Sequence, residues 1–331
     1  MRSLKLLLPV VITVILPQII LAQDTTRAAT SLMNQLESES AANKTEYVTG
    51  TFGYTHIING QSVENLPANV LDVRIEHRFG PLNQGLYNFL GLDYAAFAVR
   101  IGFDYGITDN LMVGVGHSGW QKTYDGFLKL KILKQSKGVT NMPVTLSFVP
   151  TFAINTLRPG DFGFNTTDST AANNKVSYVL QLLIARKFSE AFSLQLMPTY
   201  VHADNVSFDH YKNNTYERNI IAIGIAARQK ISKRMSINAE YYYQLPGAES
   251  STATNSASVA LEIGTGGHVF QLLFTNALAI TEKSFISETY KNGYKNSGFD
   301  QHGLRFGFNI SRVFQLGKKH KDDKGKDWEK K

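Results

Sequence analysis

The 331-residue chain has no cysteine, which excludes a disulfide framework and a diacylglyceryl-cysteine lipoprotein. Proline is scarce at 9 residues, and charged residues make up 18%, against roughly 25% in soluble domains. With 43% hydrophobic residues, 20 Phe and 15 Tyr, the composition excludes disorder. Long apolar runs are also missing. After Ala22 the longest, Ile220 to Ala227 and Tyr178 to Ala185, fall far short of the roughly 18 residues of a transmembrane helix. A folded body rich in one sign of charge is absent as well. The net +7 sits at the ends, in Arg2 and Lys5 and in a tail (317–331) with seven lysines against four acids; residues 23–316 hold 25 basic and 23 acidic residues. That distribution argues against a nucleic-acid partner.

What is present begins with a leader. Arg2 and Lys5 precede an apolar run from Leu6 to Leu21, and Ala22 offers a small residue before a cut. This is the order of a secretory signal, so Sec-type export with cleavage after residue 22 is expected. An exported chain without apolar helices either stays soluble or crosses a membrane as a closed barrel of strands.

Periodicity favours the barrel. From residue 69 onward, apolar residues recur every second position. In 97–105, Phe97, Val99, Ile101, Phe103 and Tyr105 oppose Ala98, Arg100, Gly102 and Asp104. In 221–228, Ile221, Ile223 and Ile225 oppose Ala222, Gly224 and Ala226. Segments 69–79, 110–118, 142–155, 175–187, 191–202, 235–244, 256–264, 268–276 and 303–314 alternate likewise, and 124–135 does so less regularly. The second face is rich in Gly, Ala, Ser, Thr, Asn and Gln, which suits a crowded lumen better than the Lys/Glu surface of a soluble sandwich. Charge sets the orientation. Asp72, Arg74, Glu76 and Arg78 share one face, and an arginine turned to lipid at mid-depth costs about 2–4 kcal/mol, so that row must face inward.

Short turns near 106–110, 189–191, 232–234 and 264–267 alternate with longer loops at 80–94, 156–174, 203–217, 245–255 and 277–301, although 119–123 is short, as in outer-membrane barrels. The expectation is an all-β, transmembrane, antiparallel up-and-down barrel of about 12 strands over 69–316, with 14 as the alternative. A lead-in (23–46), a segment (47–68) in the barrel mouth or lumen, and a solvated basic tail (317–331) complete the organisation. The address is the outer membrane of a Gram-negative cell, with its lipid and the barrel-insertion machinery as partners.

The run Thr51-Phe52-Gly53-Tyr54-Thr55-His56-Ile57-Ile58-Asn59-Gly60-Gln61-Ser62-Val63-Glu64, then Ile75-Glu76-His77-Arg78-Phe79-Gly80, then Phe103-Asp104-Tyr105-Gly106-Ile107-Thr108 through Gly114-Val115-Gly116-His117-Ser118, resembles an uncharacterised β-barrel family of Bacteroidota known only as a domain of unknown function. The resemblance implies an outer-membrane barrel and carries over no site residues. By that resemblance, His56 and His117 stand where relatives often have arginine.

No motif calls for a metal or cofactor. Asp204, Asp209 and His210 share a loop without metal-ligand spacing. Gly264-Thr265-Gly266-Gly267 reads as a hairpin turn rather than a phosphate loop. In Gly116-His117-Ser118-Gly119, neighbouring strand residues point to opposite faces, so His117 and Ser118 do not form a base–nucleophile pair and no enzyme is expected. The candidate pore-lining set is Asp72, Arg74, Glu76, Arg78, Arg100, Asp104, Lys129 and Lys131. The leading expectation is a narrow channel or solute transporter with a charged lumen. A non-conducting barrel that presents loops such as 156–174 and 277–301 to a partner is the alternative, and a barrel hydrolase comes last.

Overall fold

A computed structural model describes residues 29–35, 44–93, 98–156, 176–202, 219–246, 254–277, 279–289 and 303–317. The expected leader, most of the lead-in, the tail beyond 317, the Asp204–His210 loop and the greater part of the long loops lie outside the described residues.

The strands are β1 (Glu46–Tyr47), β2 (Val70–Pro81), β3 (Val99–Thr108), β4 (Leu111–Ser118), β5 (Thr123–Leu133), β6 (Ser136–Lys137) and β7 (Thr145–Asn155). They continue as β8 (Val176–Lys187), β9 (Phe192–His202), β10 (Asn219–Lys230), β11 (Met235–Gln244), β12 (Ser256–Thr265), β13 (His268–Thr275) and β14 (Arg305–Gln315). Two compact units result. The smaller takes in residues up to Tyr47 together with Ser136–Met142, where β1 pairs with β6. The larger is a closed antiparallel barrel of the other twelve strands, sealed by pairing of β14 with β2. Closure leaves the barrel without an edge strand, so its backbone groups pair from strand to strand, which lipid demands. Among the described residues no helix is long and apolar enough to cross a membrane.

Two faces result from the alternation. On β10, Ala222, Gly224 and Ala226 are buried while Ile221, Ile223 and Ile225 are exposed. On β11, Ser236, Asn238, Glu240 and Tyr242 point in, and Ile237, Tyr241 and Tyr243 point out. Aromatic side chains ring both ends of the outer surface, as an interfacial girdle does. At the long-loop end His77 stacks on Phe308 (5.3 Å) and Tyr178 on His202 (4.7 Å). At the short-turn end Phe188 meets Phe192 (6.1 Å). Arg312, which interrupts the alternation of β14, lies 5.0 Å over the Phe314 ring at this same end, where a guanidinium meets headgroups rather than acyl chains. The turn between β12 and β13 is the glycine pair Gly266-Gly267, both at positive φ (40° and 141°), as a two-residue hairpin requires.

The barrel is filled by its own chain. Residues 51–66 form a bent hairpin that enters from the short-turn end. It is closed by Ile57 N–H to Gly60 O (2.8 Å), an isolated bridge between His56 and Gln61, and Ser62 N–H to Thr55 O (3.0 Å). The loop after β13 is expected among the longer outer loops, and as a docking element only in the alternative reading. Its first part instead turns inward: Ala279 to Ile286 are buried, including a short helix, Glu282–Ser287. An apolar cluster inside the barrel joins Ile57, Ile58, Val63 and Leu66 of the hairpin, Phe285 and Ile286 of the inturned loop, and wall residues Met112, Leu183, Met197 and Leu273.

Candidate functional site

The candidate pore residues occupy one sector of the inner wall. Asp72, Arg74, Glu76 and Arg78 project inward from β2, Arg100 and Asp104 from β3, and Lys129 from β5, all buried; Lys131 is half-buried towards the short-turn end. Within this sector charge runs in a chain across the strands. Arg74 Nη2 donates to Glu76 Oε1 (3.0 Å), Arg100 Nη1 to Glu76 Oε2 (2.7 Å), and Arg100 Nε and Nη2 to the two oxygens of Asp125 (3.0 and 2.5 Å). Arg100 reaches Asp125 on β5 by crossing β4 where that strand carries Gly116; a Cβ there would lie 2.5 Å from Arg100 Nη2. Asp125 escaped the sequence reading because 124–135 alternates poorly, although it shares the buried face of Phe127 and Lys129.

The rest of the lumen grips the hairpin. At its tip the Glu240 carboxylate accepts from Asn59 N–H (2.9 Å), Asn59 Nδ2 (2.8 Å) and Gly60 N–H (3.1 Å). Arg78 Nη2 donates to Asn59 Oδ1 (2.7 Å) and Ser258 Oγ accepts from Asn59 Nδ2 (2.8 Å). Lys129 Nζ donates to the carbonyls of Thr55 (2.8 Å) and Glu64 (3.1 Å), one on each arm. Gln271 and Asn309 donate to the carbonyls of Ile57 (2.7 Å) and Ile58 (2.9 Å). Gly60 lies so close to the wall that a Cβ would stand 2.1 Å from the Tyr242 hydroxyl. Glu240 shares the inner face of β11 with Ser236 and Asn238, but nothing in the sequence singles it out as an anchor.

His56 links the hairpin to the charged sector. Its Nδ1 faces Asp104 (3.5 Å) and Thr55 Oγ1 (3.2 Å), and its Nε2 lies 2.9 Å from Gln61 Nε2. The same Gln61 amide donates to Glu282 Oε1 (3.1 Å), joining the hairpin to the inturned loop. Burial, reinforced by Arg74, Lys129 and Arg100, pushes the pKa of His56 well below its ordinary 6.5. On the other side of that loop Lys283 pairs with Glu288, which also accepts from Trp120 Nε1 (3.1 Å) and Gln121 Nε2 (3.1 Å).

His117 packs against Tyr124 on the outer face (4.5 Å between rings) while Ser118 is buried inside, so the two do not meet as base and nucleophile. Among the described residues no three His, Asp or Glu side chains gather as a metal-binding group.

A family described as a membrane-bound beta barrel domain (DUF5777) matches residues 52–314. No curated protein matches. Among solved structures, an outer membrane channel from Pseudomonas putida F1 is similar at 14% identity and a TM-score of 0.47, over 76% of this chain and 98% of that one. The NanC porin is similar at 8% identity and 0.43, over 73% and 98%. The outer membrane protein Omp33 of Acinetobacter baumannii is similar at 9% and 0.37, over 77% and 100%.

Proposed function

The chain belongs to this family of membrane-bound β-barrel domains, matched from residue 52 to residue 314, and from that premise we propose that it is an outer-membrane channel closed at rest by its own hairpin. One observation carries the reading: the hairpin and the inturned loop enter the lumen from opposite ends, and the wall holds the hairpin through many polar contacts to its backbone. An immovable core inside a barrel needs only apolar packing. Hydrogen bonds from side chains to a peptide backbone exchange with water at a net contribution of about 0.5–1.5 kcal/mol each, so they hold a segment that can also leave. A twelve-stranded wall lies between barrels that pack solid at about eight strands and open porins at 16–18, which leaves a narrow pore once the hairpin withdraws.

On this reading Asp72, Arg74, Glu76, Arg78, Arg100, Asp104, Lys129 and Lys131 line the open pore and set its ion or solute preference. Export through the Sec route, insertion by the barrel-assembly machinery and a surrounding lipid belt complete the proposed setting. The test is single-channel recording from the refolded full chain and from Gly60→Val, whose side chain collides with Tyr242. The parent should be silent and the variant should show unitary steps. Silence from both, with folding verified by heat-modifiable gel mobility, would favour a permanently closed structural barrel.

A further inference from the structure

The inner wall reads the hairpin mainly through its main chain. Lys129 takes the carbonyls of residues 55 and 64, Gln271 that of 57, Asn309 that of 58, and Glu240 the N–H groups of 59 and 60. Nearer the short-turn end, Lys187 Nζ and Arg228 Nη1 donate to the carbonyls of Thr49 (3.2 Å) and Gly50 (3.4 Å). Gln195 is the most informative. Its Nε2 donates to Gln61 O (2.7 Å) and its Oε1 accepts from Val63 N–H (2.9 Å). A carbonyl and the N–H two residues on are the pair that a neighbouring strand engages in a parallel ladder, so this one side-chain amide stands in for a strand. Met112, Leu183, Met197 and Leu273 of the wall belong to the same buried apolar cluster as Ile57, Ile58 and Val63.

We infer that the lumen is a binding site for extended peptides with aliphatic side chains, and that residues 51–64 occupy it as an internal surrogate. The chemistry is that of peptide groups: donors for carbonyls and acceptors for N–H groups set at main-chain spacing, beside apolar residues. A carbohydrate presents hydroxyls without carbonyls or N–H groups at that spacing, and a bare ion needs neither the amides nor the apolar patches. This deepens the proposed channel, because it rests on the hairpin leaving the lumen, and it names the class of solute that would take its place.

The test loosens the hairpin and leaves the wall intact, using the full chain in lipid nanodiscs with folding checked by heat-modifiable mobility. Gly60→Val is the first variant. Asn59→Asp, which sets a second carboxylate against Glu240, is the second. The probe is a fluorescent peptide with the sequence of residues 51–64, read by anisotropy, with unlabelled competitors: its scrambled sequence and maltoheptaose. The tethered hairpin competes at an effective concentration on the order of millimolar, so the parent should bind the probe weakly. Both variants should bind at least tenfold more tightly, the scrambled peptide should compete within about tenfold of the native sequence, and maltoheptaose should not compete. Absence of tighter binding in two folded variants, or competition by the oligosaccharide equal to that of the peptide, overturns the inference. The readout needs no conduction. Binding without current would refute the channel and keep the peptide site; current without binding would do the reverse.

Discussion

At the scale of single residues, buried charge is tolerated where it is shared. Arg100 holds two carboxylates at once, Glu76 on a neighbouring strand and Asp125 two strands away. Replacing it by leucine removes both of the Arg100 bonds to Asp125 and leaves Glu76 with Arg74 alone inside the barrel. The expected cost is about 3–5 kcal/mol, read as a fall in the urea midpoint of the barrel in lipid vesicles. His56 behaves differently because its proton is coupled to where the hairpin lies. Docked, it faces Asp104, Arg74, Lys129 and Arg100, with Glu282 reached through Gln61, and its pKa sits well below 6.5; released into water it returns to the ordinary value. The released state therefore binds a proton that the docked state does not. The contribution of His56 to docking is constant well above pH 6.5 and falls as pH drops below it. Channel-opening frequency should rise between about pH 6.5 and 5, and His56→Gln should flatten that rise relative to the parent. A pH response unchanged in His56→Gln would assign it to the lumen carboxylates instead.

Among the elements, the strands were the legible part. Ile221, Ile223 and Ile225 against Ala222, Gly224 and Ala226 dictate a wall with two unlike faces, and burial follows that pattern residue by residue. Depth should matter as well. Ile223→Arg, in the middle of β10 on the lipid face, should destabilise by about 2–4 kcal/mol, while Ile231→Arg, at the turn, should cost about 0–1 kcal/mol. Equal costs at the two sites in vesicle unfolding would contradict the assigned lipid belt. The hairpin was less legible. Its weak alternation over 47–58 marks a segment outside the wall, but its contacts run from wall side chains to its backbone, and backbone groups leave no trace in residue type. The helix Glu282–Ser287 was not anticipated at all. Six residues are too few to show a helical period, and Glu282, Lys283 and Ser284 are polar residues buried only because Gln61, Gln121 and their neighbours meet them inside a barrel. The charged set on β2 and β3 was readable because arginine cannot face lipid; its partner Asp125 was hidden by the irregular alternation of β5.

For the molecule as a whole, the wall and its contents obey different rules. The wall is fixed by closure, since any unpaired strand in lipid leaves its backbone groups unsatisfied. The contents are held by apolar packing of Ile57, Ile58 and Val63 and by polar groups such as Lys129, Gln195 and Glu240, which water can satisfy once the hairpin leaves. On the proposed reading, this separation is what would let the hairpin leave while the wall stays closed on itself. Charge preference of the open state should follow the wall: in the Gly60→Val background, Arg74→Glu together with Lys129→Glu should shift reversal potential towards cations in a salt gradient. The most direct measurement remains planar-bilayer recording of the refolded parent beside Gly60→Val under identical salt. The account predicts a silent parent and discrete, ion-selective steps from the variant. Steady conductance from the parent, or none from a correctly folded variant, would contradict it.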